Sequence, residues 1–228
     1  MIYTYFLKLN NTPWSDADER LLRLVSEQRA VKIVKQKRTD LKRLSLYSAL
    51  LTCFALSDIF NVDPLSLEFE SEEGKKPRLK NRAENIDFNF SHTTGAILLA
   101  ICNDGCIGAD IENIEARETP FNIMKRFFSE EERSYVNEGL HEQSLRFYEC
   151  WTAKEAFLKK SGAGLSTSLR AVNTLDDSFS RRIITWHEGS YVCSVCADTP
   201  DHDSTLSRDM LNITRLDENE LRARILLH

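Results

Sequence analysis

The sequence predicts an α+β (α/β) fold made of two halves, each with helices followed by a small antiparallel sheet. The 228 residues suit one large domain or two domains of about 110 residues each. Hydrophobic residues make up 42% of the chain and charged residues 29%, which is typical of a globular protein with a substantial core. Helical spacing gives way to alternating, β-rich sequence twice, once in each half.

In the first half, residues 2–9 (IYTYFLKL) alternate and predict a strand. Ser15 followed by Asp18 resembles a helix cap, so a helix is predicted to continue through LLRLVSEQRAVKIV. A second helix is predicted from about Asp40 to Phe60, because apolar residues recur at three- and four-residue spacing. Further strands are predicted at 65–69 and 88–90, followed by a hairpin of 96–102 and 107–111 around Asn103-Asp104-Gly105.

In the second half, a short helix is predicted at 121–128, and Ser129 with Glu132 forms the capping box of the next helix. A long helix from about 142 to 160 is predicted to end at Gly162-Ala163-Gly164. Short strands are predicted in the remainder, at LRAVNTL, RRIITWH and YVCSVCA.

Composition limits the compartment and the partners. The longest uninterrupted apolar stretch, Ala96 to Cys102, is far short of the roughly 20 residues of a membrane span. The N-terminus lacks a signal-peptide pattern, so no membrane association and a cytoplasmic location are expected. The six cysteines fit that compartment as reduced, buried thiols. A zinc site built from Cys102, Cys106, Cys193 and Cys196 is the alternative.

The net charge is −5, yet basic residues concentrate in the stretches 29–43 and 74–82. A mildly acidic chain with two basic segments is expected to bind a small polyanion. Nucleic acid is disfavoured by the negative net charge and by the lack of interleaved aromatic residues. The alternative to polyanion binding is that the stretch 29–43 is a solvated helix face and the stretch 74–82 is an exposed loop.

Three short motifs carry chemistry-bearing side chains. Asp110 and Glu112 lie two apart on a predicted strand, so their carboxylates point to the same face. Glu155 and Lys159 lie four apart on one face of a predicted helix. One interpretation makes Glu155 a third metal carboxylate and Lys159 a phosphate contact; the other makes them an ordinary surface ion pair. The Ser-His pair at 91–92 is a phosphate contact or a turn cap.

The order and spacing of these motifs resemble the Sfp-type 4'-phosphopantetheinyl transferases. The matching segments are GKKPRL (74–79), FNFSHT (88–93), IGADIE (107–112), KRFFSEEE (125–132) and WTAKEAFLK (151–159). The G-x-D-I-E segment and the W-T-x-K-E-A-x-x-K segment are the specific part of the match. The resemblance implies two similar halves related by a pseudo-twofold, here 1–113 and 114–228, with the active site in the cleft between them.

The resemblance also implies the roles of individual residues. Asp110, Glu112 and Glu155 are expected to bind Mg²⁺, with Glu155 as the candidate base and Lys159 neutralising the pyrophosphate. Coenzyme A is expected to contact a further group of residues, namely Arg29, Lys32 and Arg43 around its 3'-phosphate and Lys76, Ser91 and His92 along its nucleotide and phosphates. The family has Gly-Lys-Pro where this chain has Gly74-Lys75-Lys76-Pro77, so Lys75 is the alternative to Lys76.

The implied reaction moves the phosphopantetheine arm of coenzyme A to a serine of an acyl, peptidyl or aryl carrier protein. The carrier is expected to dock near residues 113–128, and the enzyme is expected to act as a monomer. Two rival functions are a non-catalytic coenzyme A or nucleotide-binding module, which would not need three carboxylates, and a Mg²⁺-dependent phosphohydrolase, which would want more Asp and His ligands.

Overall fold

The computed structural model describes residues 1–70, 76–80, 86–114, 120–162, 169–198 and 204–226. The strands in these ranges are β1 (Ile2–Lys8), β2 (Phe69–Glu70), β3 (Arg78–Leu79), β4 (Asp87–Thr93), β5 (Ala96–Cys102), β6 (Ile107–Asn113), β7 (Ile183–Glu188), β8 (Tyr191–Ala197) and β9 (Leu211–Asp217). The helices are α1 (Asp16–Leu21), α2 (Glu27–Val34), α3 (Thr39–Phe60), α4 (Phe121–Phe127), α5 (Glu130–Glu138), α6 (Gln143–Ser161), α7 (Asp177–Ser180) and α8 (Glu218–Leu226).

Two small sheets form the centre of the fold. The first sheet has the strand order β4-β5-β1-β9 and the second has the order β6-β8-β7, while β2 and β3 pair as a short ribbon. The pairs are antiparallel except for β1 with β9, which is parallel. The predicted α+β class with two halves is therefore confirmed.

The core is layered because the inner faces of the two sheets pack against each other. Leu98, Ala109 and Val195 belong to this inner cluster. On the outer face of the first sheet, Leu99 packs in the same cluster as Tyr47 of α3. The second sheet is covered by α6. Every residue of β5 is buried, which explains why its sequence is continuously apolar instead of alternating.

Local signals located several helices correctly. Ser15 with Asp18 and Ser129 with Glu132 both form the predicted capping boxes. The predicted 40–60 helix is α3, and the predicted 142–160 helix is α6, which ends at Gly162 with a positive φ of 66°. By length and composition α3 could cross a membrane, but 67% of the relevant window is buried inside the molecule.

Other predicted elements differ from the structure. The helix after Ser15 is interrupted at Val25 and restarts as α2, with Ser26 as its N-cap. The strands at 96–102 and 107–111 exist, yet they do not form a hairpin, because β5 pairs with β1 and β4 while β6 pairs with β8. Of the predicted strand at 65–69, residues 65–66 lie in a 3-10 turn, residues 67–68 lie in neither a helix nor a strand, and only Phe69 lies in β2.

The division of the chain at residue 113 does not follow the sheets. Strand β6 precedes that boundary but belongs to the second sheet, and β9 returns from the end of the chain to pair with β1. Both crossings tie one half to the other. The last strand and helix, LNITRLD and ENELRARIL, were not predicted as separate elements.

The cysteines were expected to be buried thiols, but only four of the six are buried, since Cys53 is half-buried and Cys106 is exposed. Cys193 and Cys196 lie three apart on β8, so their side chains point to opposite faces of the sheet. Burial raises the pKa of the Cys196 thiol to about 12. The C-x-x-C spacing therefore does not make these two residues joint ligands of one zinc ion.

Candidate active site

The site lies where strand β4 of the first sheet runs beside strand β6 of the second. The side chains of alternate β4 residues point toward β6 and take the place of a backbone ladder. Asp87 accepts a hydrogen bond from the backbone N–H of Ile107 at 2.8 Å, and Asn89 accepts one from Ala109 at 2.9 Å. These bonds satisfy backbone donors on the edge of β6 and fix the two sheets relative to each other.

Farther along the same face of β4, the bonds join functional side chains. Ser91 donates a hydrogen bond from Oγ to Oδ1 of Asp110 at 2.8 Å. Thr93 donates from Oγ1 to Oε2 of Glu112 at 3.3 Å. The predicted convergence of Asp110 and Glu112 is present, because both side chains point from β6 to the same side.

Helix α6 supplies the remaining charged groups because it packs unusually close to β6. A Cβ atom at Gly108 would lie 2.0 Å from the carbonyl oxygen of Ala156 and 2.4 Å from the amide nitrogen of Lys160. Only glycine fits such an approach. The glycine of the G-x-D-I-E segment therefore allows the helix to bring Glu155 and Lys159 over Asp110.

These elements enclose an open cleft of about 410 Å³. It is lined by six residues that the sequence proposed for the site and by two aromatic residues that it did not, namely Ser91, His92, Asp110, Glu112, Glu155, Lys159, Phe90 and Trp151. Trp151 lies one helical turn before Glu155, and this spacing could have identified it as a neighbour. For Phe90 no comparable signal exists, since an apolar strand residue usually indicates core.

The electrostatics of the cleft centre on Asp110, which is 4% exposed. Its Oδ1 accepts hydrogen bonds from Ser91 Oγ and Lys159 Nζ, and Lys159 Nζ also donates to Ser91 Oγ at 2.8 Å. Its Oδ2 is buried without a hydrogen-bond partner in the described residues. Burial, and then the negative charge of Asp110, raises the pKa of the neighbouring Glu155 carboxyl, against the opposing effect of Lys159.

This arrangement fits a hard divalent cation. An unpartnered buried carboxylate oxygen and a second carboxyl with a raised pKa indicate that positive charge is in deficit there. The donors are all oxygen atoms, which suits Mg²⁺. In the described parts of the chain, no three Asp, Glu, His or Cys side chains are already gathered closely enough to hold a metal ion.

The predicted basic residues are distributed unevenly around the cleft. Arg29 of α2 donates to the carbonyl of Ser45 at 3.2 Å and is close enough to His92 to affect its titration. Although His92 is exposed at the rim, desolvation of its ring lowers its pKa, and Lys159 and Arg29 lower it further. Lys32 is exposed one turn farther along α2.

Arg43 requires a correction, because the structure places it in a buried ion cluster. It is 3% exposed, its Nη2 donates to Oε1 of Glu218 at 2.6 Å, and its Nη1 donates to the carbonyls of Asn10 and Thr12. Asp18 lies 3.5 Å from its Nε. Because the guanidinium is buried and both of its terminal nitrogens are bonded inside the protein, Arg43 does not join Arg29 and Lys32 as a phosphate contact.

Lys76 is also bound internally. Its ammonium donates to Oδ2 of Asp87 and to the carbonyl of Ile107, both at 2.5 Å, and burial lowers its pKa. These partners lie at the starts of β4 and β6, whereas Ser91 and His92 lie near the other end of β4. The alternative, Lys75, lies outside the described residues.

Comparison with known proteins identifies the family. Residues 106–207 match the model described as the 4'-phosphopantetheinyl transferase superfamily, and residues 11–103 match the model of the N-terminal part of 4'-phosphopantetheinyl transferases. The chain is similar to the 4'-phosphopantetheinyl transferase ffp of Bacillus subtilis, with 30% identity over 81% of this chain and 75% of that protein. It is similar to the 4'-phosphopantetheinyl transferase Sfp of Bacillus subtilis strain 168, with 28% identity over 82% of this chain and 88% of that protein. A third Bacillus subtilis 4'-phosphopantetheinyl transferase is 30% identical over 73% of this chain and 70% of its own length. Together with the cleft between β4, β6 and α6, these matches show that the chain belongs to the 4'-phosphopantetheinyl transferase superfamily.

Proposed function

We propose that this enzyme transfers the 4'-phosphopantetheine group of coenzyme A to a serine of an apo carrier protein, with Mg²⁺, and releases 3',5'-ADP. The observation that carries the proposal is that three carboxylates and Lys159 line one cleft. A coenzyme A-binding module without catalysis would need the basic residues but would gain nothing from this carboxylate cluster.

Asp110, Glu112 and Glu155 are the residues that would hold Mg²⁺. When bound, the ion would neutralise negative charge both on these carboxylates and on the pyrophosphate of coenzyme A. The unpartnered Oδ2 of Asp110 supports this assignment.

Arg29, Lys32, Ser91, His92 and Lys159 form the group that would bind the phosphates of coenzyme A. They lie on α2, β4 and α6, and the charges of Arg29 and Lys159 both lower the pKa of His92, so these two cations lie near the His92 ring. Charge-assisted hydrogen bonds to phosphate are the strong contacts that such a ligand requires.

Glu155 is the candidate base of the transfer. The serine hydroxyl of the carrier would give its proton to the Glu155 carboxylate while its oxygen forms a bond to the β-phosphorus. The bond from that phosphorus to the bridging oxygen breaks, and 3',5'-ADP leaves with its charge neutralised by Lys159. The position of Glu155 in the cleft beside Asp110 and Lys159 would place this carboxylate within reach of the carrier hydroxyl.

The test is incubation of the protein with coenzyme A, Mg²⁺ and a panel of apo acyl, peptidyl and aryl carrier proteins, followed by intact-mass measurement. At least one carrier should gain the mass of one phosphopantetheinyl group, and an excess of EDTA should prevent the gain. Coenzyme A binding by calorimetry without modification of any carrier would favour the binding module. We also propose that the enzyme is cytoplasmic and acts as a monomer. Sedimentation of the active species would check the monomeric state.

A further inference from the structure

Beside the cleft, about 100° around α6 from Glu155, lies a fully buried ion pair that the reaction does not use. Lys154 and Glu132 are each 0% exposed, and Lys154 Nζ lies 2.8 Å from Glu132 Oε2. The same ammonium donates to the carbonyl of Leu169 at 2.8 Å and to that of Val172. Oε1 of Glu132 accepts from both the N–H and the hydroxyl of Thr174, at 2.8 and 2.7 Å.

The pair therefore joins three parts of the second half. Glu132 also closes the capping box at the start of α5, where its Oε2 accepts from the N–H of Ser129 at 2.8 Å. Lys154 belongs to α6, and the carbonyls it binds belong to residues 169–172. These contacts also explain why LRAVNTL is a turn instead of the predicted strand, since its carbonyls point inward to an ammonium.

Stability alone does not account for such a pair. Burying two charges carries a large desolvation cost, and replacing both partners with neutral groups of similar size is often neutral or stabilising. What a buried pair does impose is a fixed geometry, because each charge accepts few arrangements. That constraint acts on α6 next to the reacting groups, since Lys154 is followed directly by Glu155.

On its opposite side α6 is equally constrained. Gly108 of β6 leaves no room between strand and helix, and Thr152 Oγ1 lies 2.8 Å from Ser194 Oγ of β8. The helix is thus held between the second sheet and the Lys154–Glu132 pair, and its rotation decides where Glu155 and Lys159 point.

We propose that Lys154 and Glu132 are positioning residues that set the rotation of α6 and thereby place Glu155 against Asp110. This inference rests on the proposed role of Glu155 as a metal ligand and base. Neither residue touches the cleft, and their effect passes through the helix backbone.

The experiment compares Lys154→Met with the double variant Lys154→Met/Glu132→Gln. Lys160→Met is the matched control, because it removes another ion pair of α6, that with Asp198, outside the cleft. The unfolding midpoint of each protein is measured first. At a temperature below the lowest of these midpoints, kcat at saturating coenzyme A and Mn²⁺ affinity by electron paramagnetic resonance are then measured for each protein.

A positioning role predicts that stability and function separate. Lys154→Met leaves Glu132 buried and unpaired, so its midpoint falls sharply, and the double variant should recover much of that loss. In the double variant kcat and Mn²⁺ affinity should nevertheless stay about 10- to 100-fold below wild type, the range found for groups that orient metal ligands. Lys160→Met should match wild type in kcat and Mn²⁺ affinity.

Recovery of kcat and Mn²⁺ affinity together with the midpoint in the double variant would overturn the proposal. If Lys154→Met alone fails to fold, kcat and Mn²⁺ affinity of the double variant still test the positioning role. If Glu155→Gln binds Mn²⁺ as tightly as wild type does, the metal site itself is refuted. The failure of the proposed function is therefore distinguishable from the failure of the positioning role.

Discussion

At the scale of single residues, the cleft holds more negative charge than its own cations neutralise. Asp110 is paired with Lys159 through one oxygen only, and the pKa of Glu155 is raised by burial and by Asp110. An ionised Glu155 is therefore unfavourable for the folded state when no metal is bound. The groups that equip the cleft for catalysis should weaken the fold.

This conflict predicts that Glu155→Gln is more stable than wild type in EDTA at neutral pH. Because the folded pKa of Glu155 is raised, the folded state binds more protons than the unfolded state, and stability declines as pH rises through that pKa. The stability difference between Glu155→Gln and wild type should narrow as pH falls below the folded pKa of Glu155. Thermal unfolding across pH checks this, with Glu149→Gln on the same helix as control; a less stable Glu155→Gln at neutral pH would contradict it.

A second residue-scale prediction separates Arg29 from Arg43. Arg29→Ala should weaken coenzyme A binding about 10- to 100-fold, since a charge-assisted hydrogen bond contributes about 1.5 to 3 kcal/mol. Arg43→Ala should leave the affinity of the folded protein unchanged, because its guanidinium is bound to Glu218 and backbone carbonyls. Calorimetry at fixed salt measures both variants.

Dephospho-coenzyme A is the control ligand for this comparison. It lacks the 3'-phosphate, so it should bind wild type weakly and be nearly indifferent to Arg29→Ala. Equal losses for both ligands would reduce Arg29 to a member of a generally basic surface.

At the scale of elements, the close contact between β6 and α6 brings the charged groups of the cleft together. Gly108→Ala should reduce transfer severely, because the new Cβ would overlap backbone atoms of Ala156 and Lys160 and force the helix away. Gly139→Ala is the control, since its φ is −70° and a Cβ there would meet the movable Arg146 side chain at 2.8 Å and the carbonyl oxygen of Val136 only at 3.1 Å. Wild-type turnover by Gly108→Ala would show that the approach of α6 is not required.

The same scale shows how far sequence reasoning extends. Capping boxes at Ser15 and Ser129 and the C-cap at Gly162 are set by residues a few positions apart, so local patterns located them. The convergence of Asp110 with Glu112 followed from strand geometry alone. The partners of β5 and β6 lie elsewhere in the chain, so a turn signal at Asn103-Asp104-Gly105 could not show that the two strands enter different sheets.

At the scale of the whole molecule, the end of the chain closes on its beginning. Strand β9 pairs in parallel with β1, and α8 delivers Glu218 to Arg43 and Arg222 to Asp18. Arg43 and Glu218 are 175 positions apart, so the sequence offered Arg43 only as a cation in a basic stretch. The assignment of Arg43 as a phosphate contact was wrong for this reason.

The closure can be tested by a double-mutant cycle on Arg43→Ala and Glu218→Ala. Each single variant should lose about 1.5 to 3 kcal/mol, because it removes one charged hydrogen-bond partner from a buried network in which Glu218 keeps Arg222 and Arg43 keeps Asp18. The double variant should lose less than the sum, with an interaction free energy of about 0.5 to 3 kcal/mol. Denaturant unfolding measures all three variants, and strict additivity would contradict the contact between the two ends of the chain.

The central claim is that the carboxylate cluster between the two halves performs the transfer. The most direct measurement is a single-turnover assay, with intact-mass detection of the holo carrier, on wild type, Glu155→Gln and Glu149→Gln at saturating Mg²⁺ and coenzyme A. Glu149 is a matched control because it lies on α6 outside the cleft, bonded to Tyr135 and His187. Glu155→Gln should abolish transfer with its fold intact while Glu149→Gln remains active, and near-normal turnover by Glu155→Gln would contradict the account.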